Sequence, residues 1–396
     1  MAALDPRALV PLVEARLDEY LDALAEMVNT DCGTFSPEGV NRIADRCEER
    51  FRRAGWEVER RQYRPAEGES SLGDLVIGRF PGDAASRVLL IGHMDTVFPD
   101  GTAAQRLFRV QDGRATGPGV DDMKAGLLAG FFAVDTLRES GAPVPRITYV
   151  CNPDEEIGSP FSKPAIRELA KDADVCLVLE AGRENGNIVS ARKGTTDFVI
   201  DIAGRAAHAG VEPHKGRSAI LEAAHKVLAL HGLNGRWPGV TVNAGVIAGG
   251  TRPNVVPDRC RLEVDLRAAE DRSFDAAGEE IARIGAASTV DGVTATVRAL
   301  ETHRPMQKTE STARLVALAR EIAAGLGFRV DDQATGGASD ANTTAGMGVP
   351  TLDGLGPVGG GAHGPEEWLD VGSVIPRVSL LGALIARASE AVDSRR

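Results

Sequence analysis

The segment RVLLIGHMD, Arg87 to Asp95, decides how the rest of the chain is read. Its continuous apolar run suits a strand buried on both faces, and after Ile91 it breaks into Gly92, His93, Met94 and Asp95. The pattern recurs twice: Ile147 to Cys151 runs into Asn152, Pro153, Asp154, Glu155 and Glu156, and Val175 to Leu179 runs into Glu180. In open α/β sheets ligands bind just beyond the carboxyl ends of the strands, so three ends carrying acids and a histidine predict one shared site.

Around these strands lie helices. Leu9, Val13, Leu17, Leu21 and Leu24 recur at helical spacing, Pro37 to Ala54 repeats the pattern until Gly55 stops it, and Ala125 to Leu137 reads as a third helix. The rhythm then changes. Phe198 to Ile202 reads as strand, Ser218 to His231 as helix, Val240 to Ile247 and Arg261 to Leu266 as strands, Phe274 to Ala287 as helix and Val293 to Leu300 as strand. That βαββαβ order is the ferredoxin-like pattern and is complete in itself. The expectation is an α/β protein of two domains, residues 1–187 with 304–396, and an inserted domain over 188–303.

The bulk composition removes several function classes. With 396 residues, 43% of them hydrophobic, the chain has the makeup of a folded globular protein. A net charge of -12 and the lack of a long basic run argue against nucleic acid. Met1 to Val13 lacks the pattern of a secretory signal, and no stretch approaches the roughly 18 uninterrupted apolar residues of a membrane span. Five cysteines, Cys32, Cys47, Cys151, Cys176 and Cys260, lie far apart without CxxC spacing, so reduced, buried thiols in a cytoplasmic protein are expected.

Chemistry concentrates at the strand ends. His93 and Asp95, two apart on an extended chain, face one side, so the carboxylate can orient the imidazole for a metal. Gly117 to Gly126 reads GPGVDDMKAG, an acid-bearing glycine turn ahead of a helix, where an Asp is ordinarily an N-cap. Asp154, Glu155 and Glu156 set carboxylates side by side, either a solvated run or a division of labour in which one ligates and its neighbour is the base. Glu180 and His363, the latter within GGGAHG, complete a nitrogen and oxygen set that suits zinc. The carboxylates outnumber what one three-ligand site needs, which favours two metals.

The ordered motifs GHMDT, GPGVDDMKAG, PDEEIGS, VLEAG and GAHG resemble the zinc-dependent peptidase family of glutamate carboxypeptidases, succinyl-diaminopimelate desuccinylase, acetylornithine deacetylase and aminoacylase. The resemblance runs from about Leu24 to Ala386, and HMDTVF and ETHRPM bring it nearest to the glutamate carboxypeptidase branch. It implies a di-zinc catalytic domain with a mixed central sheet flanked by helices, and an inserted domain that serves as lid and dimerisation module. His93 and Glu180 would complete one zinc, Glu156 and His363 the other, and Asp122 would bridge them, followed by a cis peptide to Met123. In the family the bridging acid stands three residues beyond the second glycine, so the resemblance selects Asp122 over Asp121. Cobalt or manganese are possible substitutes for the zinc. Asp95 would orient His93, and Glu155 would be the base. His208, in GRAAHAG, would reach the active site of a partner subunit and stabilise the oxyanion, which implies a homodimer. Asn254, Arg267, Arg304, Gly337 and Ser339 would line the substrate site, with Lys193 for a second carboxylate.

The expected reaction is hydrolysis of an amide or peptide bond beside a free carboxylate, in a short peptide or an N-acyl amino acid. Deacylation of N-acyl amino acids is the nearest alternative, and a non-catalytic binding protein on the same scaffold is the rival from another class. Gly354 to Gly359 is formally GxGxxG, but Pro357 interrupts it and no helix is evident directly after it.

Overall fold

A computed structural model describes residues 4–392. The chain forms two compact units, one comprising Met1–Ser190, Lys308–Ala334 and Ser339–Arg396, the other Ala191–Gln307 with Thr335–Ala338. The short segment Thr335–Ala338 was expected with the first unit. Backbone and guanidinium contacts hold it in the second: Lys193 N donates to Thr335 O at 3.1 Å, and Arg267 and Arg192 donate to the carbonyls of Gly336 and Gly337 at 3.0 and 3.1 Å.

In the first unit a six-stranded mixed sheet runs in the order Glu57–Arg61, Leu75–Phe80, Arg146–Asn152, Arg87–His93, Val175–Val178 and Thr351–Leu352. Only Leu75–Phe80 runs against the other five. The parallel register aligns His93 with Asn152 and Ile91 with Val178, so the acids that follow each strand emerge at one edge. All three central strands are buried on both faces, which is why their apolar runs lack alternation.

The helix Ala125–Glu139 is buried on almost every side, between the sheet and the helix Val374–Arg387. Its glycines allow that approach. A Cβ on Gly126 would lie 1.8 Å from the carbonyl oxygen of Leu179, and one on Gly130 would lie 2.6 Å from Tyr149 Oη. The start of this helix, just after Asp122, is thereby pressed against the strand end that carries Glu180. Phe131 of this helix packs ring to ring with Phe51 and Tyr149, which also meet each other, at 4.7 to 5.6 Å, each burial contributing about 1.5 to 3 kcal/mol.

Helix Pro37–Arg53 starts with proline at its first position and ends before Gly55 at φ 78°. The N-terminal apolar pattern is cut into Val10–Glu14 and Leu17–Val28 by a turn at Ala15 and Arg16. Periodicity carries across that break, so the pattern could not reveal it. Val371–Ala391 reaches the length and hydropathy of a membrane span, but its most apolar 18-residue stretch is 67% buried, as in a core helix.

The second unit is a four-stranded antiparallel sheet, ordered Thr241–Gly249, Arg259–Ala268, Gly194–Ala203 and Thr294–His303, with helices Ala219–His231 and Asp271–Ala286 packed against it. In chain order this is βαββαβ, the ferredoxin-like arrangement. Its own apolar core includes Ile200, Leu262, Leu266, Phe274 and Ile281.

Candidate active site

The strand Arg87–His93 delivers His93 to the sheet edge with its ring buried. Its Nδ1 lies 3.0 Å from the backbone carbonyl of Asp95, an oxygen that can only accept, so Nδ1 carries the proton. Nε2 is left facing Asp122 Oδ1 at 3.1 Å and Glu180 Oε1 at 3.8 Å. On the other side of the same carboxylate, Asp122 Oδ2 lies 3.3 Å from His363 Nε2, which is also 3.1 Å from Glu156 Oε2. Two donor triads result, His93 with Asp122 and Glu180, and Asp122 with Glu156 and His363, each with its donor atoms within 4.8 Å of one another.

Local structure explains why each side chain is where it is. Asp122 has non-helical backbone angles, φ -111° and ψ 95°, and a cis peptide joins it to Met123. It does not cap the helix that follows, whose N-cap is Lys124 without a side-chain cap. His363 adopts φ 65°, a region that favours glycine, so its backbone holds a cost that a structural filler would not require. Glu155 and Glu156 open a short 3-10 turn directly after the strand Arg146–Asn152.

Asp95 does more than face His93. Its carboxylate lies 3.5 Å from His93 Nδ1 and accepts Glu155 N at 3.1 Å, Glu156 N at 3.2 Å and the Thr34 hydroxyl at 2.7 Å. One buried acid therefore fixes both the imidazole and the turn that carries the two glutamates. Asp340 supports the same turn from behind, accepting from Ser159 Oγ at 2.6 Å and from Asn152.

The electrostatics call for a cation. Burial pushes the carboxyl of Glu155 well above its ordinary value, with the charge of Glu180 adding to it, and burial raises Glu156 as well. Burial would push His93 down, but Asp122 and Asp95 outweigh it and hold the ring well above 6.5. Asp122 and Glu156 push His363 up to about 10 against a smaller opposing effect of burial. Between the two histidines, Asp122 is held far below the ordinary carboxylate range although burial alone would raise it. Carboxyls and imidazoles packed this closely, most of them buried or half-buried, are a donor arrangement that a divalent cation would stabilise. The donor set fits divalent metal.

The remaining expected site residues fall mostly in the second unit. Ala207–His208 pairs with Val255–Val256, and Ala209 N donates to Asn254 O at 3.0 Å, which brings His208 and Asn254 together. His208 Nδ1 accepts from Gly210 N at 3.2 Å and Val211 N at 3.1 Å, leaving Nε2 to carry the proton. Lys193, Arg267 and Gly337 meet around Thr335–Ala338, with Arg267 also paired to Asp265 at 3.1 Å. Arg304 pairs with Asp271 at 2.6 Å and with Asp275, both near the start of helix Asp271–Ala286. In the first unit Ser339 is buried, and its hydroxyl caps the helix Asp340–Gly346 while donating to Asp353 at 2.7 Å. At the GxGxxG match, a two-residue strand Gly359–Gly360 follows instead of a helix.

Sequence reasoning passed over Thr34 and Glu367. Glu367 is buried and accepts three backbone N–H groups, from Gly119 and Asp121 at 2.8 Å and from Asp122 at 3.0 Å. An acid four residues after His363 was the available signal, but beside Glu366 it reads as a solvated pair.

Comparison with known proteins gives the family. Carboxypeptidase G2 of Pseudomonas sp. (strain RS-16) is 30% identical over 384 residues, spanning 94% of this chain and 91% of the relative. Acetylornithine deacetylase of Myxococcus xanthus is 28% identical over 257 residues, 62% of this chain and 65% of the relative. The crystal structure of aminopeptidase PepT from Bacillus cereus ATCC 10987 superposes with a TM-score of 0.76 at 24% identity, covering 94% of this chain and 99% of that one. Enzymes of this family use divalent metals, typically zinc, and the two donor triads are groups that could hold such an ion. With the profile of peptidase family M20/M25/M40 matching residues 89–387, which span His93 to His363, the chain is a hydrolase belonging to that family.

Proposed function

We propose that the chain is a two-zinc amidohydrolase of glutamate carboxypeptidase type, which hydrolyses an amide bond beside a free carboxylate and releases the carboxyl-terminal amino acid. The observation that carries this reading is the Asp122 carboxylate, whose two oxygens face His93 and His363 separately, as a ligand shared by two cations must. Similarity to carboxypeptidase G2 over nearly the whole chain supports the amino-acid half.

Two zinc ions, when bound by His93, Asp122, Glu156, Glu180 and His363, would polarise the scissile carbonyl and make water acidic enough to attack. Glu155 takes the proton of the attacking water and delivers it to the leaving nitrogen, so one carboxyl serves as base and then acid. Its neighbour Glu156 is held as a ligand by the same turn, and Asp95 fixes the spacing between the two roles through their amides. His208, with its proton on Nε2, donates to the developing oxyanion from a second subunit. Asn254, Arg267, Arg304, Lys193, Gly337 and Ser339 are the proposed substrate contacts, among which the guanidinium of Arg267 and the ammonium of Lys193 match carboxylates by charge.

A homodimer through the second unit is part of this reading. Leu221 and Leu228 stand 50% and 72% exposed on helix Ala219–His231, and Val246 and Ile247 are exposed on Thr241–Gly249, the edge strand of the sheet. An open strand edge beside an apolar helix face suits a second copy of the same surface. We place the enzyme in the cytoplasm, supported by five cysteines that are all free and buried.

Removal of an acyl group from an N-acyl amino acid is the second reading, favoured by the match to acetylornithine deacetylase. A panel of N-aroyl- and peptidyl-glutamates, N-acetyl and N-succinyl amino acids, and dipeptides separates them. The proposal expects chelator-sensitive release of glutamate from the first group at the highest kcat/KM. Preference for the acetyl or succinyl compounds would select the deacylase, and no turnover with two metals bound would select a binding protein.

A further inference from the structure

We propose that Glu367 is the positioning residue that joins the Asp122 loop to the His363 loop, so that the two act as one preformed half of the metal centre. The inference rests on the two-zinc reading above and goes beyond it, since Glu367 is not a ligand in that reading.

Asp122 and His363 come from segments far apart in sequence, Asp122 at the kink of the short turn Val120–Lys124 and His363 on a loop, neither on a strand. His363 is itself more than half exposed, with a side chain 56% accessible, so packing does little to hold it. What ties it down lies on either side. Gly359–Gly360 pairs with Trp368–Asp370, which in turn pairs with Arg114–Thr116, and that strand leads into the Gly117 to Asp122 turn. Glu367 is at the junction, next to Trp368 and four residues after His363.

The bonds it makes are of an unusual kind. Gly119, Asp121 and Asp122 turn their N–H groups toward one point, a concavity of the sort that ordinarily collects an anion. Here the chain fills it with its own carboxylate. Oε1 accepts from Asp121 and Asp122 and Oε2 from Gly119, so both oxygens are needed. A glutamine of the same shape could serve at most one side, because its NH2 would meet an N–H on the other. With glutamine at least one of the three amides would be left unpaired, loosening the turn that orients the Asp122 carboxylate.

The test compares zinc binding by the wild type, E367Q and E367D, each made metal-free and titrated against a competing chelator. Outer partners of metal ligands typically change affinity by about 10- to 100-fold when removed. E367Q should lose affinity in that range for at least one zinc while the metal-free protein unfolds as the wild type does. E367D, too short by one methylene to reach all three amides, should lose it as well. Excess zinc should restore kcat with little change in KM. Wild-type affinity and stoichiometry in both variants would overturn the proposal. So would a loss of metal-free stability with unchanged zinc affinity in the folded fraction, which is what a purely structural role predicts. Hydrogen exchange on the metal-free wild type gives a reading that needs no variant: the amides of Gly119, Asp121 and Asp122 should be protected before zinc is added, and free exchange there would overturn the role. A wild type that binds two zincs while the variants match it removes this inference alone. A wild type that binds none removes the two-zinc reading first.

Discussion

Replacing Asp95 by Asn exposes how much of the centre depends on one buried acid. The carboxylate accepts two backbone amides and one hydroxyl while facing His93, and its side chain is fully buried. Asn keeps one oxygen. If it stays on the Glu155 side, the new NH2 meets Glu156 N–H, while the Thr34 hydroxyl can rotate to accept from it. One buried amide is then unpaired, at a cost of about 1 to 3 kcal/mol. At about 1.4 kcal/mol per decade this is roughly a 5- to 150-fold loss of the aligned turn. Since Glu155 and Glu156 ride on that turn, zinc affinity at the Glu156 side and kcat should both fall within this range. Chelator-competition titration and steady-state kinetics at saturating zinc read the two separately. Thr34→Val should be milder, and in combination with Asp95→Asn should add less than its separate effect, because the hydroxyl's partner is already changed. Asp95→Asn with unchanged zinc affinity and unchanged kcat would refute the reasoning.

Glu155→Gln should retain two zincs by elemental analysis and lose kcat by about 10²- to 10⁴-fold, the usual worth of a general base; full turnover would remove it from that role. His208→Ala should leave zinc content intact and lower kcat by about 10²- to 10³-fold, and mixed dimers with an Glu155→Gln chain should regain activity if the histidine acts across subunits. Zinc loading at pH 7 to 8 should release protons, read by calorimetry in buffers of different ionisation enthalpy, and no release would contradict the ligand role of His363. The sign follows from His93 and His363 both being raised, His363 to about 10: zinc must displace the proton that His363 holds, so zinc affinity should rise as pH climbs from 6.5 toward 10. Their ion pairs, conversely, favour the metal-free fold below 6.5 and fade as pH passes 10. Leu228→Glu, at a position 72% exposed, should give monomers by light scattering with zinc content unchanged.

The parallel strands were legible because burial on both faces writes an uninterrupted apolar run, and because polar bursts after Ile91, Cys151 and Leu179 marked their carboxyl ends. The βαββαβ unit was legible for a related reason: its six main elements follow in chain order, broken only by the two-residue strands Ala207–His208 and Val255–Val256 and the short turn Pro213–Lys215. The return of Thr335–Ala338 to that unit was not, since it depends on carbonyl acceptors, which any residue supplies. Within the centre, motif order pointed to His93, Asp122, Glu156, Glu180 and His363. Spacing alone could not have told Asp122 from a helix cap or Glu367 from a solvated acid. Those distinctions lie in where backbone amides point, and a one-dimensional pattern of side chains does not record it.

Anomalous diffraction at the zinc edge, on crystals grown with zinc, tests the central claim most directly. Two peaks are predicted, one bounded by His93 and Glu180, the other by Glu156 and His363, with Asp122 touching both. A single peak, or peaks away from these five side chains, would contradict it.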